Sequence, residues 1–227
     1  PTIGRRQRQM CIRDRLREQT SRRAAAGLGY NECVSYSFID ENSAKLFGGG
    51  DASTQLENPI SSEMSHMRPD LFPGLLQAAS RNQARGFFNM ALFELGPVFN
   101  GGDPGNQQNN LSGVLIGQTA SKDVHGQDRE VDVFDVKCHI ENILSLIGAP
   151  PKFQILRGAE SHWHPGRHGR ICLGPKKTIG IFGELHPKIL SSFDIKGPTV
   201  GFTILLDNIP TPRNSNTTRP PFRARSL

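Results

Sequence analysis

Hydrophobic and polar positions change their period several times along the chain, and each change predicts an element. From Leu16 to Ala26 helix-favouring residues run unbroken, and Gly27-Leu28-Gly29 supplies a glycine stop. Cys33 to Phe38 then alternates, with Val34, Tyr36 and Phe38 on one side, which predicts a strand. A short helix near Ser43–Phe47 ends in the turn Gly48-Gly49-Gly50, and Asn58-Pro59-Ile60-Ser61 marks another turn. Leu71, Leu75, Ala78, Ala79 and Asn82 recur near helical spacing, so the segment from Met67-Arg68-Pro69 should enter a helix reaching about Arg85.

Met90–Gly96 and Leu111–Thr119 read as strands joined by a polar loop from Asn100 to Asn110, an antiparallel hairpin. Phe134–Ile147 is the clearest amphipathic helix, with Phe134, Ile140, Leu144 and Ile147 on one stripe and Gly148-Ala149-Pro150 as its stop. Strands follow at Phe153–Leu156, Arg170–Leu173, Thr178–Glu184 and Thr199–Leu206, with a short helix at His186–Phe193 before the last. Strands outnumber helices and short turns join them, which predicts an α+β layout: an antiparallel sheet flanked by helices.

Composition narrows the class without changing that picture. At 227 residues with 36% hydrophobic and 21% charged side chains, the chain suits one large domain with a real core. No apolar run approaches the roughly 18 residues of a membrane span, and no apolar stretch follows the basic N-terminus as a secretory signal would require. The net charge of +6 is carried by the two ends: residues 1–23 hold eight arginines against Asp14 and Glu18, and the last fifteen residues add Arg213, Arg219, Arg223 and Arg225. Residues 24–212 are mildly acidic, so the body lacks the basic footprint of a nucleic-acid binder. Residues 1–15 are expected to be an unstructured arm or non-native sequence. Cys11, Cys33, Cys138 and Cys172 are scattered without a C-x-x-C pair and read as reduced thiols of a cytoplasmic protein.

Several clusters could carry chemistry. His162, His164 and His168 around Pro165-Gly166-Arg167, with Cys172 four residues on, could in principle hold zinc, but the spacing suits a turn whose His164 and Arg167 make structural hydrogen bonds. There is no G-x-S-x-G elbow and no H-E-x-x-H, so hydrolase readings find no support. Gly48-Gly49-Gly50 reads as a turn and not a phosphate cradle. Asp123, Asp128, Glu130, Asp132 and Asp135 lack EF-hand spacing and read as a solvated loop placing negative charge at the start of the next helix.

The ordered set of segments resembles the catalytic-like core of the bacterial phenylalanyl-tRNA synthetase β subunit. The resemblance rests on Gly29-Tyr30-Asn31-Glu32 leading to Ser35-Tyr36-Ser37-Phe38, then Asn58-Pro59-Ile60-Ser61 and Met67-Arg68-Pro69-Asp70-Leu71. It continues through Leu75-Leu76, Asn82, Arg85, Leu92-Phe93-Glu94-Leu95-Gly96 and Phe134-Asp135-Val136-Lys137. His164-Pro165-Gly166-Arg167 and Gly180 to Pro187 complete it, over roughly residues 25–210.

The resemblance implies a class II aminoacyl-tRNA synthetase-like fold. It also implies a partner, the α subunit that carries the active site, in an α2β2 assembly that joins phenylalanine to its tRNA with ATP and Mg²⁺. Catalytic class II domains hold the ATP phosphate with an arginine two positions before the glutamate of their second motif; here Leu92 precedes Glu94. Their third motif ends in an acid followed by arginine, whereas the strand here ends Leu206-Asp207-Asn208. The expectation is a non-catalytic core over residues 16–210, with 211–227 a linker toward a missing anticodon-binding domain, and no metal or cofactor of its own. Arg68, Arg85, Glu94, His164 and Arg167 are expected as structural or interface anchors. Two alternatives remain: an independent RNA-binding module using the arginine-rich N-terminus, and a zinc hydrolase built on the three histidines.

Overall fold

The computed structural model describes residues 5–119, 129–158 and 161–210. The first half runs α1 (Arg5–Gly27), β1 (Asn31–Glu32), β2 (Phe38–Ile39), α2 (Glu41–Leu46), β3 (His66–Met67) and α3 (Phe72–Gln83). Then follow β4 (Met90–Phe99), β5 (Gln107–Ile116), α4 (Val133–Leu146), β6 (Gln154–Leu156), β7 (Trp163–Leu173), β8 (Lys177–Leu185), α5 (Pro187–Ser192) and β9 (Thr199–Leu205). Seven strands form one sheet in the order β1-β4-β5-β9-β8-β7-β6, and β2 pairs with β3 apart from it. Only β1 runs parallel to its neighbour, with Asn31 opposite Leu92. All other pairs are antiparallel, so the α+β expectation holds.

Alternation along the strands divides the core in two. Phe93, Leu115 and Phe182 point to one face, where α1 and α4 lay down Ala24, Ala25, Val136, Ile140, Ile143 and Leu144. Leu92, Val114 and Ile181 point to the other, covered by Phe72, Leu75, Leu76 and Ala79 of α3 and by Ile189 of α5. Each buried Leu, Ile or Phe contributes about 1.5–3 kcal/mol relative to exposure, so the helices are held by these stripes more than by their intrinsic propensity.

The helix ends follow from local chemistry. Asp132 caps α4, accepting from the Phe134 and Asp135 amides, while Asp135 reaches back to the Asp132 amide in a capping box. The acidic stretch thus acts as expected where it is described; Asp123 and Asp128 lie outside the described residues. Helix α3 has Pro73 in its first turn, and the Asp70 carboxylate accepts from the Phe72 amide at 3.0 Å. Gly27 ends α1, and Gly29 then takes φ +90°, a conformation glycine adopts without strain.

Five expectations need correction. Residues 5–15, expected to be an unstructured arm, are the first part of α1; arginine and glutamine are good helix formers, and extending a helix already anchored by its later turns is cheap. Residues 33–37 are not strand: Val34 is 92% exposed and Tyr36 73%, because the sheet edge ends at Glu32. The polar loop after β4 is shorter than expected, since Gln107–Asn110 pair with Pro97-containing β4 despite lacking apolar side chains. Phe134 leaves the stripe of α4 and is 74% exposed, one turn position away from the row Val136, Ile140 and Ile143. Finally, the histidine-rich segment is not a separate turn but the first half of β7. There the pairs Trp163–Leu185 and His168–Gly183 bracket a bulge that absorbs Pro165-Gly166.

Candidate functional site

The expected anchors do not converge on one place. Two of them, Arg68 and Glu94, form the most deeply buried ion pair among the described residues. Arg68 follows β3 and Glu94 lies mid-way along β4, both with side chains 4% exposed, and Nη1 meets Oε1 at 2.6 Å. Arg68 Nε also donates to the Pro97 carbonyl at 2.9 Å. A third member, missed as an anchor by sequence reasoning, is Ser35: its Oγ donates to Glu94 Oε2 at 2.7 Å and accepts from Arg68 Nη1 at 3.1 Å. Its amide donates to Glu94 Oε1 at 3.3 Å. The irregular segment 33–37 is therefore tied down by a carboxylate instead of by a strand ladder.

Two glycines make room for this cluster. A Cβ at Gly96 would fall 2.5 Å from Arg68 Nη2, and one at Gly74 would collide with Ser35 Oγ. The glycine after Leu95 is thus a packing requirement of the guanidinium and not a flexibility device.

The other three anchors lie apart. Arg85 is exposed in the turn after α3, where its backbone amide bonds to the Asn82 carbonyl. Arg167 is on the bulge of β7 and pairs through Nε with Glu184 at 2.9 Å, its side chain 56% exposed. His164 Nδ1 accepts from the Gly166 amide at 3.2 Å, and its carbonyl accepts from His168 Nδ1 at 2.6 Å. His168 Nε2 accepts from the Gly158 amide at 3.1 Å, so the ring carries its proton on Nδ1. These contacts brace the bulge. His162 instead packs among Phe47, Phe72 and Trp163, with ring centroids 5.0–6.0 Å apart. The three imidazoles therefore do not share one centre, and no group of three His, Cys, Asp or Glu among the described residues could hold a metal ion.

The strands that would carry the charged motifs of a catalytic synthetase domain are occupied differently. Leu92 is 7% exposed within the core of Phe72, Leu75, Leu76, Val114 and Ile116. At the end of β9, Leu206 is buried, Asp207 accepts from the Asn109 amide at 2.8 Å, and Asn208 donates to the Thr178 carbonyl at 2.8 Å. Asp70, beside Arg68 in sequence, is 8% exposed; burial pushes its carboxyl pKa up to about 6, against the lowering effect of its bonds to the Phe72 and Leu71 amides.

The chain is similar to known proteins in both sequence and fold. Residues 5–206 match the family described as phenylalanyl tRNA synthetase beta chain CLM domain. The phenylalanine–tRNA ligase beta subunit of Ruegeria pomeroyi is 62% identical over 207 residues, covering 91% of this chain and 26% of that protein. The beta subunit of Zymomonas mobilis is 42% identical over 222 residues, covering 97% of this chain and 28% of its own length. The chain thus spans about a quarter of the length of these relatives. A pyrrolysyl-tRNA synthetase from Desulfitobacterium hafniense superposes with a TM-score of 0.62 at 18% identity, covering 84% of this chain and 65% of that one. That likeness establishes the class II synthetase-like fold. Among the described residues, no helix is long and apolar enough to cross a membrane.

Proposed function

The chain belongs to the phenylalanyl-tRNA synthetase β-chain CLM-domain family, and from that premise we propose that it is the non-catalytic core of such a β subunit. It pairs with an α subunit that performs the ATP-dependent attachment of phenylalanine to tRNA in the cytoplasm. In this reading residues 16–210 form the core, entered by α1, which begins at Arg5.

The observation that carries the reading is the burial of Leu92 where a catalytic domain needs a cation. A guanidinium there would lose its hydration among Phe72, Leu75 and Leu76 with no carboxylate to spare, because Glu94 is already neutralised by Arg68. The residues on this face of the sheet therefore do not fit ATP. Its phosphates would find no free arginine at Leu92, and the end of β9 spends Asp207 and Asn208 on backbone bonds. ATP and Mg²⁺ belong, in this reading, to the α subunit. The chain's contribution is shape: a rigid seven-stranded platform whose buried ion pair fixes the segment running beside the sheet edge.

The arginine-rich helix gives less to the RNA-binding alternative than its composition suggests. Arg17 Nη1 donates to the Leu206 and Ile209 carbonyls at 3.2 and 3.1 Å, and Arg22 pairs with Glu32 at 2.8 Å. Both side chains are engaged in holding α1 on the domain. The test is co-expression with an α subunit from a related bacterium, followed by size-exclusion chromatography with light scattering. A complex of defined stoichiometry that does not depend on RNA is expected. A well-folded chain that ignores α yet binds RNA with a steep salt dependence would replace this reading with the alternative.

A further inference from the structure

Strand β7 is an open edge over its first half. Its pairs with β6 end at Leu156–Arg170, so among the described residues no strand pairs with Trp163 to Gly169 on that side. Two imidazoles stand there instead. His164 Nδ1 accepts from the Gly166 amide at 3.2 Å, and His168 Nε2 accepts from the Gly158 amide at 3.1 Å. Gly158 presents that amide from a turn at φ +96°, which glycine adopts without strain. His168 Nδ1–H closes the arrangement by donating to the His164 carbonyl at 2.6 Å. The rings thus tie the bulge to itself and to the chain leaving β6.

Both amide bonds require a neutral ring. An imidazole nitrogen accepts only while it carries no proton, and in the imidazolium both nitrogens donate. Protonation therefore sets His164 Nδ1–H against the Gly166 N–H and His168 Nε2–H against the Gly158 N–H, while the bond to the His164 carbonyl survives. The charged groups on the surrounding elements disfavour further positive charge. Arg157 follows β6, Arg167 and Arg170 lie on β7, and Lys188 lies on α5. The acid on β8, Glu184, is engaged by Arg167 at 2.9 Å, and the remaining imidazole, His186, caps α5 by accepting from the Lys188 amide. We propose that His164 and His168 form a proton-operated latch on this edge of the sheet. It is closed while both rings are neutral and opens once they are protonated, releasing the Gly158 and Gly166 amides and the edge of β7 that they guard. Because the protons bind the open form, closure is complete above the ordinary imidazole range and is lost as pH falls through it. The latch does not depend on how the chain pairs with other subunits.

The experiment is NMR of the full chain, reading the tautomer of each ring at about pH 8 and the solvent exchange of the Gly158 and Gly166 amides between about pH 7.5 and 5.5, corrected for intrinsic exchange. The His168 proton is expected on Nδ1 and the His164 proton on Nε2. On acidification the protection of both glycine amides should fall at least about tenfold, and toward about a hundredfold if the two rings open together, since each proton taken up contributes up to about tenfold per pH unit. The Phe202 and Thr203 amides of β9, between β5 and β8, should keep their protection, which separates the latch from global unfolding. His164→Asn and His168→Gln keep an acceptor near Nδ1 and Nε2 and do not titrate, so in the double variant exchange at both glycines should no longer depend on pH in this range. If the double variant does not fold, each single variant should lose the dependence at its own glycine. A change of less than about threefold in the wild-type chain, a fall shared by the β9 amides, the opposite tautomer at His168, or a pH dependence that survives in the folded variants would overturn the proposal.

Discussion

Replacing Glu94 with alanine tests whether the buried cluster carries the fold. The substitution removes the carboxylate that meets Arg68 at 2.6 Å and leaves the guanidinium, 4% exposed, with only the Pro97 carbonyl and Ser35 Oγ as partners. It also strips the acceptor from the Ser35 amide and hydroxyl. Breaking a buried pair by removing one member typically costs about 3–5 kcal/mol. That is a large share of the roughly 5–15 kcal/mol by which a domain is stable. With a urea m-value of about 2–3 kcal/mol/M, the unfolding midpoint should fall by about 1–2 M. Glu94→Gln keeps the shape but only one acceptor oxygen, so either the Ser35 hydroxyl or its amide loses its acceptor along with the charge, and the variant should fall between wild type and alanine. The double variant Arg68→Met/Glu94→Leu should recover much of the loss, since no unpaired charge is then buried. A Glu94→Ala midpoint within about 0.3 M of wild type, with unchanged m, would refute the reasoning: the guanidinium would then be solvated in a way this geometry does not allow.

Other consequences can be checked on the same chain. Gly96→Ala should destabilise by about 1–3 kcal/mol through contact with Arg68 Nη2, and the cost should shrink when Arg68→Met is combined with it. Asp70 titrates near 6 in the folded chain against roughly 3.9 unfolded, so between those values the folded state holds the extra proton. Stability should therefore fall by about 3 kcal/mol as pH rises from about 4 through 6, then level off. Asp70→Asn keeps an acceptor for the Phe72 amide and should abolish that slope in thermal melts across the range, whereas an unchanged slope would point to other groups. Asp132→Ala should cost about 1 kcal/mol by removing the cap of α4; a melting temperature equal to wild type would show that the Asp135–Arg129 pair suffices.

The later strands are legible in the sequence as short apolar runs: Thr178–Glu184 and Thr199–Leu206 match β8 and β9 to within one residue at each end. Where the period fails, the reason is a non-local partner. Gln107–Asn110 belong to β5 because Phe99 to Gly96 lie opposite them, a fact their own polar side chains cannot signal. Ser35 and Tyr36 alternate as a strand would, yet a carboxylate 59 residues further on claims the backbone. Arg68 and Glu94 could be singled out by the family resemblance, but their mutual contact is a property of the folded chain. Arg85, named by the same resemblance, has no part in that cluster.

The order of strands in the sheet sets a timetable for synthesis. The strand at the middle of the sheet, β9, is the last to leave the ribosome, and it joins β5 to β8 across residues made far earlier, Asn110 pairing with Leu205. Until it emerges, the nascent chain holds two unconnected half-sheets, the β4–β5 hairpin and the β6–β7–β8 meander, each presenting the open edge that β9 will fill. Such edges invite pairing with other chains. A ribosome stalled before Thr199 would thus display two half-built sheets with a gap between them, a prime client for chaperones that shield exposed strands.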